Sequence, residues 1–117
     1  MVKSNSSGPR HVRDVVEIPK AVLEQARKSA FELYNAGRLE QAETMIKGVL
    51  AVDEKDAWSQ ALLGSIWRQQ RRFRDSLRLM ESALVLDPEN DNIRTMRDEL
   101  AALVSQRQQG TPAPEGF

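Results

Sequence analysis

The chain has 117 residues, with 17 basic and 17 acidic side chains and a formal net charge of zero. A nucleic-acid-binding protein usually has a basic excess that displaces phosphate counterions, so this balance argues against that class. The chain has no cysteine, which excludes disulfides and thiolate chemistry. No apolar run of about 18 residues is present, and the amino terminus lacks the apolar core of a signal peptide. These features predict a single-domain cytoplasmic protein without a membrane span.

Residues 1–18 differ in composition from the rest of the chain. Residues 1–11 are polar and contain Ser, Gly and Pro, which predicts a flexible arm. A short apolar cluster follows in residues 12–18 and ends at Pro19. Its spacing fits either a turn of helix or an extended segment that docks on a neighbouring surface.

Two helices are predicted next, over residues 19–35 and 39–52. Pro19 suits the first turn of a helix, where its missing N–H costs nothing. Gly37 lies between the two helices, in a turn where a positive φ is tolerated.

Residues 57–90 predict a second pair of helices. Apolar residues recur every three or four positions over 57–69 and again from Phe73 to Leu84, with a polar turn between them. Asp87-Pro88 ends the second helix, because proline disfavours a helical conformation in the residue before it. Two short helices with facing apolar stripes form an antiparallel hairpin.

The two hairpins match without a gap when residues 23–56 are aligned with residues 57–90. Small residues fall on small ones and large apolar residues on large ones. The matched pairs are Ala30/Gly64, Leu33/Trp67, Leu39/Phe73, Ala42/Ser76, Ile46/Met80, Val49/Ala83, Leu50/Leu84 and Asp53/Asp87. A repeat of this length indicates a stacked array.

This spacing resembles the tetratricopeptide repeat, a helix–turn–helix module of about 34 residues. The matching residues are Leu63-Gly64, Trp67, Phe73, Ala83 and Asp87-Pro88 in the second copy, and Gly37, Leu39, Ala42 and Ile46 in the first. The chain departs from the family pattern at Glu54, which replaces a proline, and at Arg71, which replaces the turn glycine. Ala26 and Gln60 stand where the family usually has a large aromatic residue.

The resemblance implies an all-α, tetratricopeptide-like array of helical hairpins in a right-handed superhelical stack. We expect repeats at 23–56 and 57–90 and a C-terminal capping helix at 91–107, within a domain of residues 19–108. Such a cap covers the apolar face that a terminal repeat otherwise exposes. Residues 109–117 are rich in Pro and Gly and are predicted to be disordered.

The sequence offers little for catalysis. The one histidine, His11, lies in the predicted arm, and nothing places a nucleophile beside a base. No ligand cluster has the spacing of a metal site. We therefore predict a non-enzyme with no catalytic residue, no metal and no other cofactor.

Proteins that resemble this family use the first helix of each repeat to line a concave groove that takes a peptide. The candidate groove residues are Arg27, Lys28, Phe31, Tyr34, Asn35, Trp58, Leu62, Ser65, Arg68 and Met96. Phe31, Tyr34, Trp58 and Leu62 look surplus to the core, to which Trp67 and Phe73 are assigned. The alternative is that Trp58 fills the joint between repeats and Phe31 packs on residues 12–18.

Some family members clamp the carboxylate terminus of a heat-shock chaperone, and here only Arg27 matches that clamp. An apolar or amphipathic segment of a partner protein is therefore the expected ligand. The basic run at Arg68, Arg71, Arg72, Arg74 and Arg78 is either an acidic-partner or phosphate contact or a solvated face balanced by Asp87, Glu89 and Asp91.

The predicted function is non-catalytic protein–protein binding, as an adaptor or small chaperone. Type III secretion chaperones are small stand-alone proteins of similar architecture, so a chaperone for a secreted subunit is one alternative. The other is a structural module that self-associates, as a homodimer, through its end faces or residues 12–18. Nucleic-acid binding through the arginine run is the weakest of these hypotheses.

Overall fold

A computed structural model describes residues 17–108. They form five helices: α1 (Lys20–Asn35), α2 (Leu39–Val52), α3 (Ala57–Gln69), α4 (Phe73–Leu86) and α5 (Asp91–Gln108). These bounds differ from the expected ones by no more than a residue. Within this range no helix is both long and apolar enough to cross a bilayer. The predicted arm, up to residue 16, and the predicted tail at 109–117 lie outside the described residues.

The fold is an all-α, tetratricopeptide-like array. Helix α1 pairs with α2 and α3 with α4, while α2 packs on α3 and α4 on α5. Two buried clusters fill the array: Ala30, Ala42, Ile46, Val49, Leu62, Leu63 and Ile66 form the first, and Ala61, Met80, Ala83, Ile93 and Leu100 the second. Helix α3 contributes to both clusters and is therefore the centre of the stack.

Each hairpin closes on a pair of small residues at equivalent positions. In the first hairpin the pair is Ala30 and Ala42, and both are fully buried. In the second hairpin the pair is Gly64 and Ser76, and Ser76 is fully buried. The Ser76 hydroxyl donates a hydrogen bond to the Gly64 carbonyl at 2.6 Å. A Cβ on Gly64 would lie 2.9 Å from Met80 Cε and 3.4 Å from the Ser76 carbonyl oxygen. A side chain at residue 64 would therefore require the terminal methyl group of the buried Met80 to move.

The turns of the two hairpins have the same hydrogen bonds. In the first, Gly37 N–H donates to Tyr34 O, and Arg38 N–H to Leu33 O. These bonds form a Schellman motif, which needs a left-handed residue, and Gly37 has φ 80°. Arg71 holds the equivalent place with φ 66°, where a side chain costs about 1–2 kcal/mol.

Two helices begin with equivalent side-chain caps that the sequence interpretation did not single out. The Asp56 carboxylate accepts a hydrogen bond from Ser59 N–H at 3.3 Å, and Asn90 Oδ1 accepts one from Ile93 N–H at 3.1 Å. Asp and Asn are favoured N-caps, so the alignment of the two repeats could have located both.

Trp67 lies at the edge of the core, not inside it as predicted, because its indole bridges the two hairpins. It packs on the first buried cluster but remains partly exposed, with the Arg72 guanidinium 4.2 Å from its ring centroid. The indole N–H donates to Glu43 Oε2 at 3.1 Å, and Gln70 and Lys47 also contact this carboxylate. Phe73 is likewise partly exposed, beside the second cluster.

Glu43 is the polar centre of this bridge. Burial by itself would raise the pKa of its carboxyl group, but the donors outweigh that effect. Hydrogen bonds from Lys47, Trp67 and Gln70, together with the charge of Lys47, hold the Glu43 pKa below its ordinary value of 4.5.

Gly64→Leu is expected to lower the free energy of unfolding by roughly 1–3 kcal/mol, because the new side chain overpacks the hairpin. The measurement is urea denaturation followed by circular dichroism. Gly48→Leu is the matched control: Gly48 is also helical, but nothing lies within 4 Å of a Cβ added there. Its stability should stay level or rise by up to about 1 kcal/mol. Equal losses in both variants would contradict the close approach at Gly64.

Glu43→Gln is expected to lower the free energy of unfolding at pH 7 by roughly 1–2 kcal/mol, since it weakens three charge-assisted contacts. The folded-state pKa of Glu43 is depressed, so its contribution is present above pH 4.5 and disappears as pH falls through the lower folded value. The difference between wild type and variant should therefore shrink as urea denaturation is repeated from pH 6 downward. Glu40→Gln, on the exposed face of the same helix, is the control. A pH-independent difference would be the contrary result.

Candidate functional site

The odd-numbered helices α1, α3 and α5 enclose a groove of about 260 Å³, here called the central groove. Its lining residues are Phe31, Tyr34, Trp58, Ala61, Leu62, Ser65, Asn90, Asn92, Ile93 and Met96. Six of the ten predicted groove residues are among them: Phe31, Tyr34, Trp58, Leu62, Ser65 and Met96. The structure therefore brings together more than half of the predicted set.

Three aromatic rings lie on one wall of the central groove. The Phe31 ring centroid is 6.4 Å from that of Tyr34 and 6.0 Å from that of Trp58. Phe31 and Tyr34 share a face because they are about one helical turn apart, and Trp58 reaches them from the first turn of α3. Phe31 and Trp58 are each 44% exposed. Two large aromatic side chains thus leave apolar surface exposed in the groove.

Leu62 forms part of the floor, and its predicted role needs correction. It is only 6% exposed and belongs to the first buried cluster, so it is not surplus to the core. The reason is the central place of α3, which has helices packed on both sides. Ala61, its neighbour, is buried in the second cluster for the same reason. Leu62 and Ala61 therefore belong both to the hydrophobic core and to the lining of the central groove.

The other wall is formed by α5 and the turn before it. The Ser65 hydroxyl is 3.7 Å from Met96 Sδ, which closes the groove at one side. The Asn90 amide group donates to Asp87 at 3.1 Å while its oxygen caps α5. Asn92 is exposed. This wall offers neutral polar groups and a flexible thioether, but no charge.

Two of the three predicted basic groove residues are paired with acids, which the sequence interpretation did not anticipate. Arg27 forms an ion pair with Asp56 at 2.7 Å, and Arg68 with Glu99 at 2.9 Å. Each pair joins neighbouring odd-numbered helices or their caps, so these arginines tie the array together. Neither lines the central groove.

Lys28 and Asn35 are exposed on α1 and do not line the central groove either. The acids that balance the arginine run also differ from those expected. Its ion pairs are with Glu43, Asp75 and Glu99, and not with Asp87, Glu89 or Asp91.

A larger apolar groove of about 690 Å³, here called the end groove, lies on the first hairpin. It is lined by Ile18, Val22, Leu23, Ala26, Leu33, Glu40, Gln41, Thr44, Met45, Gly48, Val49 and Val52. Four of these are large apolar residues that remain exposed: Ile18, Val22, Met45 and Val52. The sequence interpretation proposed that end faces could self-associate, but it did not name Met45 or Val52 of α2 as part of such a face. These two residues are seven apart in the sequence and therefore share a helix face.

Within residues 17–108, no group of three or more His, Cys, Asp or Glu side chains converges as metal ligands. Beside the central groove, Asp56 caps α3 and pairs with Arg27, and Glu99 pairs with Arg68.

No family model and no curated protein matches the sequence. Among solved structures, the fold is similar to that of the Yersinia enterocolitica type III secretion chaperone SycD, in complex with a peptide of the translocator YopD. The TM-score is 0.69 at 21% sequence identity, over 81% of this chain and 69% of that chain. At this identity the likeness establishes a shared all-α helical-repeat fold.

Proposed function

We propose that this chain is a non-catalytic protein-binding module that holds an apolar or amphipathic segment of a partner protein in the central groove. The observation that carries the proposal is the cluster of Phe31, Tyr34 and Trp58. Burying a large apolar side chain contributes about 1.5–3 kcal/mol, and these rings lie together at a concave surface. Clustered aromatic residues in a pocket are the usual anchors of a protein interface.

The charge of the groove narrows the class of ligand. Arg27 and Arg68 are paired with Asp56 and Glu99, so neither of these arginines is left as a free cation for an acidic tail. The walls offer apolar surface and the neutral groups of Ser65 and Asn92. This lining suits an uncharged apolar strip, read from a helix at i, i+3 and i+4 or from an extended segment.

A more specific version is a small chaperone that shields a secreted subunit. The similarity to SycD supports it, since that protein was solved with a bound translocator peptide. The chaperone version and a general adaptor use the same groove and differ only in the partner.

Twelve-residue peptides selected from a random display library against the wild-type protein would test the groove. Phe31→Ala/Trp58→Ala is expected to weaken the selected peptides at least tenfold, measured by fluorescence anisotropy, because a lost anchor costs about 1–2 kcal/mol. Both side chains are about half exposed, so the variant should keep its circular dichroism spectrum.

Val85→Ala is the matched control, because Val85 is an exposed apolar residue of α4 that lies outside the groove. It should leave the peptide affinity unchanged. Selected peptides that bind the double variant as tightly as wild type would contradict the proposal.

Self-association is the second candidate, and the exposed side chains of the end groove favour it. Contiguous exposed apolar surface marks an interaction site. This candidate predicts a molar mass that rises from 13.2 kDa toward twice that value with concentration, by light scattering. Val52→Lys should keep the protein monomeric, whereas Val85→Lys on α4 should not. A monomer at every concentration would contradict it.

A further inference from the structure

A third cavity, of about 510 Å³, shares no lining residue with the central groove or the end groove. It lies where the α3–α4 turn and the start of α4 meet the end of α5. Its lining residues are Arg71, Arg72, Phe73, Arg74, Asp75, Arg78, Val104 and Arg107. Five arginines thus surround one carboxylate, on a chain whose formal net charge is zero. This concentration of positive charge is called the arginine cleft below.

The one acid in the arginine cleft is already engaged. The Asp75 carboxylate forms ion pairs with the guanidinium groups of Arg72, at 3.2 Å, and Arg78, at 2.9 Å. Among residues 17–108, no ion pair joins Arg71, Arg74 or Arg107 to a carboxylate. Three cations therefore line the cleft without a compensating charge.

Two of these cations are positioned by Phe73. The guanidinium carbons of Arg71 and Arg107 lie 5.5 Å and 5.3 Å from its ring centroid. Cation–π attraction thus holds each of the two guanidinium groups against the Phe73 ring. The in-plane N–H groups of a guanidinium are still able to donate to a planar carboxylate.

Arg71 adopts a left-handed backbone conformation, for which the fold could have used glycine. The equivalent turn residue is Gly37, which adopts a left-handed φ without a steric cost. Arg71 adopts the same conformation with a side chain, and the turn hydrogen bonds are the same. Strain of this kind is a pointer to function. What the arginine adds is a guanidinium over Phe73, inside the cleft.

We propose that the arginine cleft binds a carboxylate-rich segment of a protein, with Arg71, Arg74 and Arg107 as its contacts. A nucleic acid is disfavoured because these three arginines line one small cleft of a chain whose formal net charge is zero, whereas nucleic-acid binding needs a basic surface that follows many phosphates. The arginine cleft shares no lining residue with the central groove, so the two sites are tested separately.

The probe is a fluorescein-labelled peptide of six glutamates, with a six-glutamine peptide as its neutral counterpart. At 20 mM NaCl the glutamate peptide should bind, and the glutamine peptide should not. Arg71→Gly/Arg74→Gln/Arg107→Gln should weaken the glutamate peptide at least tenfold in fluorescence anisotropy. Glycine is chosen at residue 71 because it keeps the left-handed turn.

Arg38→Gln/Arg94→Gln/Arg97→Gln removes the same number of charges outside the cleft and should change the affinity by no more than about twofold. If both triple variants weaken binding of the glutamate peptide equally, the effect depends only on net charge and the proposal is overturned. A glutamate peptide that does not bind the wild-type protein would also overturn it. A twelve-nucleotide poly-dT that binds the cleft more tightly than the peptide would overturn it in favour of a nucleic acid.

The same peptide should bind Phe31→Ala/Trp58→Ala as tightly as wild type. Loss of binding in that variant would also contradict a separate site. The two proposals therefore fail independently: the central groove is tested by the selected apolar peptides, and the arginine cleft by the glutamate peptide.

Discussion

The close approach of the two helices within each hairpin is the constraint on which the rest of the structure depends. It is made by Ala30 and Ala42 in the first hairpin and by Gly64 and Ser76 in the second. The hydrogen bond from Ser76 to the Gly64 carbonyl fixes the second pair at one register. Because both hairpins close in the same way and have the same Schellman turn between their two helices, they stack with their first helices on one side.

The central groove follows from that stacking. Helix α3 has neighbours on both sides, so Leu62 and Ala61 are buried, while Trp58 at its first turn reaches the ring of Phe31. The ion pairs of Arg27 and Arg68 then join α1 to the α3 cap and α3 to α5. They hold the walls in place while removing charge from the edge. The same residues thus set the shape of the groove and make it suited to an apolar ligand.

The fold could be predicted from the sequence because its determinants are local and recur at equivalent positions of the two hairpins. Small and large positions set the hairpins, and Gly37 and Pro88 mark turns. Phe31, Tyr34 and Trp58 were predicted as groove residues because they looked surplus to that repeat pattern. The three side chains do lie together, but Tyr34 also packs on the first buried cluster and is not surplus to the core. The burial of Leu62 was missed, since a repeat pattern does not show how many neighbours a helix has.

Contacts between distant elements were also missed. The partners of Arg27 and Arg68 are 29 and 31 residues away along the chain, and nothing in the sequence selects them from the other acids. The left-handed conformation of Arg71 could have been predicted, because the repeat alignment matches Arg71 with the turn glycine Gly37. The juxtaposition of Arg71 with Arg107 across Phe73 depends on where α5 ends, and that is a property of the packed array.

The central claim is that a partner segment lies in the central groove, and the two tryptophans allow a direct measurement. Trp58 is on the groove wall, whereas the Trp67 indole is held by Glu43 between the hairpins. The experiment is ¹⁹F NMR of protein labelled with 5-fluorotryptophan, titrated with a selected groove peptide. The account predicts that the Trp58 resonance shifts in proportion to bound peptide while that of Trp67 stays in place. A saturating peptide that leaves the Trp58 resonance unmoved would contradict it.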